Sequence, residues 1–175
     1  MLIIRQDSLR FVYRVAGVAV HAGRVLLHRA EDDDFWALPG GRGEMLEPST
    51  ETLRREMGEE TGLAVTVDRL LWVVENFFDY GKKTYHELGL YFLMTFTPDS
   101  PVWTYGQSFE GQELFPDGRV LKLIYQWWPL ADLDTITVYP SFLPGGLRQL
   151  PATIQHIIHD GRGNRENATL THGHS

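Results

Sequence analysis

Glu56 and Glu60 stand four residues apart, a spacing that puts both carboxylates on one face of a helix, and Glu59 lies one turn from Glu56 on a neighbouring part of that face. Like charges at this spacing repel. A hard divalent cation removes the conflict. Carboxylate oxygens suit Mg²⁺, which keeps several waters and also binds substrate phosphates. Glu47, just ahead of the helix, can bend back over the first turn, either as a further ligand or as the partner of Arg55. Arg55 also has Glu59 four residues ahead of it. Gly40, Gly41 and Gly43 let the backbone pass close to a ligand. Exposed N–H groups in such a turn, with the amino end of the helix, receive phosphate oxygens. The plainer alternative is a charged surface helix after a glycine turn, and carboxylate spacing alone leaves it open.

The combined spacing resembles the Nudix box. That pattern runs Gly, five residues, Glu, seven residues, Arg-Glu, an aliphatic residue, any residue, Glu-Glu, any residue, Gly, and an aliphatic residue. The anchors here are Gly41, Glu47, Arg55, Glu56, Met57, Glu59, Glu60, Gly62 and Leu63. Met57 replaces the usual Ile, Leu or Val and keeps the position apolar. Leu38-Pro39-Gly40-Gly41 resembles the common entry to the box, and Trp127-Trp128-Pro129-Leu130 with Asp132-Leu133 resembles the late strand and turn of many Nudix domains.

The resemblance implies an α/β/α sandwich with a mixed sheet over residues 1–160; residues 161–175 are polar and read as a flexible tail. It also implies attack by water on one phosphorus of a nucleoside diphosphate linked to another group. ADP-ribose, a nucleotide sugar, a dinucleotide and a nucleoside triphosphate, oxidised or not, all qualify. Mg²⁺ is the implied cofactor, with Mn²⁺ as a substitute. In that reading Glu56 and Glu60 are the leading metal ligands, and Glu59 is a further ligand or an organiser of water. Glu47 is a supporting ligand or the partner of a structural Arg55, while Gly40, Gly41 and Gly62 shape the loop and the helix end. The general base comes from the box or from a glutamate on a later loop, where Glu110 and Glu113 fall; Glu75 and Glu87 in or near strands also compete. Nudix domains often pair as homodimers, so a homodimer is expected. The competing reading, a non-catalytic nucleotide-binding or regulatory module, predicts erosion of carboxylates that are all present here.

Aromatic residues supply candidates for stacking on a base: Trp36, Phe77, Phe78, Tyr85 and Trp103. Trp127 and Trp128 read first as packing. Arg29 or Lys82 could reach phosphate, and His28 or His86 could donate hydrogen bonds.

Leu53 and Met57 anchor the acidic helix in the core. The pattern predicts that helix over residues 48–61, with Pro48 in its first turn and Thr61-Gly62 as its stop. Upstream, strands over residues 15–20 and 24–29 with a turn at His21-Ala22-Gly23 predict a hairpin. The acidic run 31–34 reads as a solvated loop. Downstream, strands are predicted within residues 64–74, 86–96 and 120–128, with a loop over 98–118. A last helix is predicted over residues 141–156, with Pro151 able to split it. His172 and His174 are a spaced pair in the tail and weak metal candidates.

The 175 residues suit one domain. Without cysteine there is neither a disulfide framework nor a thiolate ligand or nucleophile. A net charge of -7, from 16 basic and 23 acidic residues, argues against an extensive nucleic-acid groove. No apolar run reaches membrane-spanning length, and residues 1–10 lack a leader's apolar stretch. A cytoplasmic protein acting on a small nucleotide is the expectation, with no membrane partner.

Overall fold

The computed structural model describes residues 2–115 and 117–163. Its first sheet is mixed. β1 (Ile3–Gln6), β2 (Leu9–Val18), β7 (Lys83–Thr95), β6 (Thr66–Tyr80) and β10 (Gln155–Asp160) lie side by side in that order, and β5 (Gly40–Arg42) pairs with β2. The pairs β2–β7 and β6–β10 are parallel, whereas β1–β2, β2–β5 and β6–β7 are antiparallel. The second sheet is antiparallel, in the order β3 (Val20–His21), β4 (Arg24–Ala30), β9 (Val120–Pro129) and β8 (Ser108–Leu114). The mixed α/β expectation holds.

The helix that carries the carboxylates, α1 (Ser49–Thr61), starts immediately after Pro48 and stops at Gly62. Gly62 takes φ 72°, a left-handed turn that a side chain would strain, and its N–H reaches the Gly58 carbonyl at 2.9 Å. Leu53 and Met57 are fully buried, in a core shared with Val15, Phe92, Tyr125 and Trp127. Burial of such side chains stabilises by about 1.5–3 kcal/mol each. The helix packs on β2 and β5 of one sheet and on β8 of the other. A second core, including Trp36, Trp72, Val74 and Tyr91, is closed by Leu143 and Leu147 of α2 (Leu143–Arg148).

Three expectations are corrected. Residues 15–20 and 24–29 are not one simple hairpin. The chain leaves the first sheet after Val18, and Ala19 to His21 turn back onto β4 around the predicted turn. The predicted loop over 98–118 contains a 3₁₀ turn at Pro101–Thr104 and the strand β8. Gly111, which had suggested a loop, lies within that strand, and the position needs glycine because a Cβ would come within 2.7 Å of both the Glu60 carbonyl and the Tyr125 ring. The last helix shrinks to α2, and the chain beyond Pro151 becomes β10, parallel to β6. Its apolar stripe divides accordingly: Leu147 packs from α2, Ile157 packs from β10, and Ile154 is exposed. His172 and His174 lie outside the described residues.

Candidate active site

Arg55 is the hub of the acidic cluster. Its Nε donates to Glu47 Oε1 at 2.8 Å and its Nη2 to Glu47 Oε2 at 3.1 Å. Its Nη1 reaches Glu56 Oε1 at 2.8 Å and Glu59 Oε2 at 3.1 Å, and Nη2 also holds the Arg42 carbonyl at 3.1 Å. A planar guanidinium with five donors can span several acceptors at once, which Lys could not do. Glu47 accepts further bonds from Thr52 Oγ1 at 2.7 Å and from the Glu44 N–H at 3.2 Å. Arg55 first, then Thr52 and the backbone, hold the Glu47 carboxyl down at about 2. Glu47 therefore adopts the Arg55-partner geometry of its two alternatives.

Glu56 and Glu60 differ from Glu59 in exposure. The Glu56 side chain is 15% exposed and that of Glu59 63%. Glu60 is buried, and its Oε2 accepts a hydrogen bond from Tyr125 Oη. Burial raises the pKa of Glu56, opposed by Arg55 and Arg14. Burial likewise pushes Glu60 up to about 8, with Glu56 and Glu113 adding repulsion against the opposing Tyr125 hydrogen bond. Gly41, on β5 opposite Val15, leaves the space that the Glu56 carboxylate occupies; a Cβ there would overlap it. Gly40 has φ 139° and is pressed against the Val15 carbonyl, so both glycines are fixed by close approach.

Two residues at this site escaped the sequence reading. Arg14 donates to the Leu38 carbonyl at 3.1 Å. Burial works against its charge, but Glu87, Tyr91, Glu60 and Glu56 outweigh that and raise its pKa. A charged residue within the otherwise apolar Val12–Val18 run was the available signal, since a buried charge requires partners. Tyr125 is the other. Its inward alternation with Leu123 and Trp127 was visible, but its pairing with Glu60 was not.

The remaining candidates separate by place. Glu113 is half-buried on β8, on the side of the strand that meets Glu60. Glu110 is on the opposite side, 70% exposed and paired with Lys122 at 2.9 Å. Both belong to a strand, not to the loop expected for them. Glu75 is paired with His156 at 2.8 Å, whereas Glu87 is buried beside Asn76. Arg29 Nη1 donates to the carbonyls of Ala30, Glu31 and Asp33 at 2.6–3.1 Å, and the guanidinium lies 5.3 Å over the buried Trp36 ring. Phe78 stacks on Tyr85 at 5.0 Å, near the β6–β7 turn. Tyr85 is opposite Arg10 on β2, five residues or about 16 Å of strand from Val15 and hence from Gly41.

Among the described residues no three His, Asp or Glu side chains converge as a formed metal cage. The side chains at the α1 face nevertheless fit a hard divalent cation by donor chemistry. Glu56 and Glu60 are oxygen donors at i,i+4, close enough for Glu56 to disfavour the charge on Glu60, and Gly41 cradles Glu56. No helix among the described residues is long and apolar enough to cross a membrane.

Residues 12–145 match the NUDIX domain model. A MutT-like protein of Streptomyces ambofaciens is 46% identical over 63 residues, 35% of this chain and 41% of that protein, so the chain spans less than half of that relative's length. An 8-oxo-dGTP diphosphatase of Buchnera aphidicola subsp. Schizaphis graminum (strain Sg) is 26% identical over 156 residues, 87% of this chain and 94% of that protein. The crystal structure of a MutT NUDIX hydrolase from Burkholderia pseudomallei superposes with a TM-score of 0.52 at 25% identity, over 81% of this chain and 98% of that one.

Proposed function

The chain belongs to the Nudix family, and from that premise we propose that it is a pyrophosphohydrolase that hydrolyses a phosphoanhydride bond in a nucleotide. The observation that carries this reading is the pair of half-buried Glu56 and buried Glu60 on α1, set against Gly41 and Tyr125. Nucleoside triphosphates stand first among the substrates. This choice is supported by the 8-oxo-dGTP diphosphatase that matches along 87% of the chain. ADP-ribose, nucleotide sugars and dinucleotides follow.

In this reading Gly41 lets the Glu56 carboxylate lie against the backbone of β5, and Gly40 lets that strand pack against Val15. Arg55 holds Glu47, Glu56 and Glu59 in one array and so ties the loop before α1 to the helix face. Tyr125 fixes one oxygen of Glu60 and leaves the other free. Glu113 takes a proton from the attacking water in this reading, a role supported by its electrostatic influence on Glu60, whereas Glu110 is paired with Lys122. A divalent cation held by Glu56 and Glu60, Mg²⁺ or Mn²⁺ in its place, would neutralise phosphate oxygens and lower the pKa of water when bound. Water adds to one phosphorus, the bridging P–O bond breaks, and the phosphorylated leaving group departs with the bonding pair.

The test is a substrate panel with Mg²⁺, following product identity as well as loss of substrate. Release of nucleoside monophosphate and pyrophosphate from a triphosphate is the expected outcome. Turnover confined to compounds without a phosphoanhydride would overturn the reading. Tight binding across the panel with no turnover would leave a nucleotide-binding module instead.

A further inference from the structure

We propose that Ser141, His159 and Asn76 form a second, separate nucleophilic centre, which takes an acyl or phosphonyl group from an activated ester onto Ser141 Oγ. The centre uses none of the α1 carboxylates and is independent of the pyrophosphohydrolase reading.

Three adjacent strands build it. Asn76 on β6 is opposite Glu87 on β7 and opposite His159 on β10. Ser141 lies just before α2. His159 Nε2 is 2.9 Å from Ser141 Oγ, and His159 Nδ1 is 2.9 Å from Asn76 Oδ1. Asn76 Nδ2 donates to Glu87 Oε1 at 3.4 Å. Asn76 and Glu87 are both buried, while Ser141 is exposed, so the chain of contacts runs from the interior to a hydroxyl that a reagent can reach.

The hydrogen-bond logic fixes the direction of every group. Asn76 turns its amide NH₂ toward Glu87, whose Oε1 accepts from Nδ2. The amide oxygen is then turned toward His159. An oxygen there requires Nδ1 to carry the ring hydrogen, which leaves the Nε2 lone pair for the Ser141 hydroxyl proton. A nucleophile bonded to a base that a third group orients is the general signature of an activated serine. An Asn in the third place keeps the tautomer without adding a charge, as other nucleophilic centres with a Cys-His-Asn arrangement do.

The covalent step balances without a cofactor. With a fluorophosphonate, Oγ bonds to phosphorus, the P–F bond breaks, fluoride leaves with the bonding pair, and the hydroxyl proton goes to Nε2. With a carboxylic ester, an Oγ–C bond forms and the bond to the alcohol oxygen breaks. The proton then passes from Nε2 to the departing alkoxide.

Labelling of the whole protein with a fluorophosphonate probe, read by intact mass and peptide mapping, tests the proposal. One adduct on Ser141 is expected. Ser141→Ala should remove it, and His159→Gln should slow it by at least about tenfold. Glu56→Gln should label like the parent protein. Because the chain has no cysteine, Ser141→Cys also gives a single-thiol reporter that does not depend on the His159 variant folding. Its thiol should react with iodoacetamide at neutral pH at least about tenfold faster than that of Ser8→Cys, since an adjacent imidazole favours thiolate. Ser8 is an exposed residue at a strand turn. No adduct on Ser141, an adduct formed equally fast without His159, or equal alkylation of the two thiols would each overturn it.

Discussion

Gly41 is the residue on which the site's shape depends most directly. The Glu56 carboxylate occupies the volume a Cβ would take, so Gly41→Ala must displace the carboxylate, the backbone of β5, or both. Turnover should fall by at least about tenfold, roughly 1.4 kcal/mol at the transition state, while the circular dichroism spectrum stays close to that of the parent. An unchanged rate would mean that Glu56 is not needed in this position. His28 gives a pH prediction. Burial and the Arg14 charge depress its pKa to about 3, against a hydrogen bond to the Leu38 backbone, and its Nδ1 is buried without a partner. The folded protein keeps the ring neutral, whereas the unfolded chain binds a proton below about pH 6.5. Stability from this group is therefore full above pH 6.5 and declines as pH falls toward 3, by at most about 1.4 kcal/mol per pH unit. Urea midpoints between pH 7 and 5 should fall in the parent and fall less in His28→Leu; parallel curves would contradict this account. Neither role was legible in sequence. His28 sits in an ordinary apolar strand pattern, and nothing in one sequence says that Arg14 and Leu38 meet it.

At the scale of elements, α1 was legible almost to the residue. Pro48, the Leu53 and Met57 stripe and Gly62 are local signals, and local signals suffice for a helix whose caps and buried face agree. The strands β8 and β10 were not legible. The register of β8 depends on Gly111 fitting between Glu60 and Tyr125, and β10 exists because β6 offers a parallel edge. Both conditions are tertiary, and glycine and proline pointed the other way. The difference has a functional consequence. A loop would leave Glu110 and Glu113 interchangeable, whereas a strand puts them on opposite faces. Glu113→Gln should cut the maximal rate by about tenfold or more, and Glu110→Gln should change it less than about twofold. The measurement is the initial rate at saturating substrate for both folded variants. The reverse order would move the proton acceptor to Glu110, and small losses at both would return it to α1.

Across the whole molecule, the mixed sheet, the second antiparallel sheet and α1 bring together residues distant in sequence: Arg14 from β2, Gly41 from β5, Glu56 and Glu60 from the helix, and Tyr125 from β9. The box spacing made the family and the helix face readable. It did not make Tyr125 or Arg14 readable, because their contacts with the acidic pair cross between elements. The central claim is that Glu56 and Glu60 act together on a divalent cation during phosphoanhydride hydrolysis. It is tested most directly by initial rates against Mg²⁺ concentration for the parent protein, Glu56→Gln and Glu60→Gln, each checked for folding. Removing either charge should lower turnover by at least about tenfold across the titration, with folding little affected because the repulsion between the two is relieved. Near-parental rates in both folded variants at every Mg²⁺ concentration would contradict it.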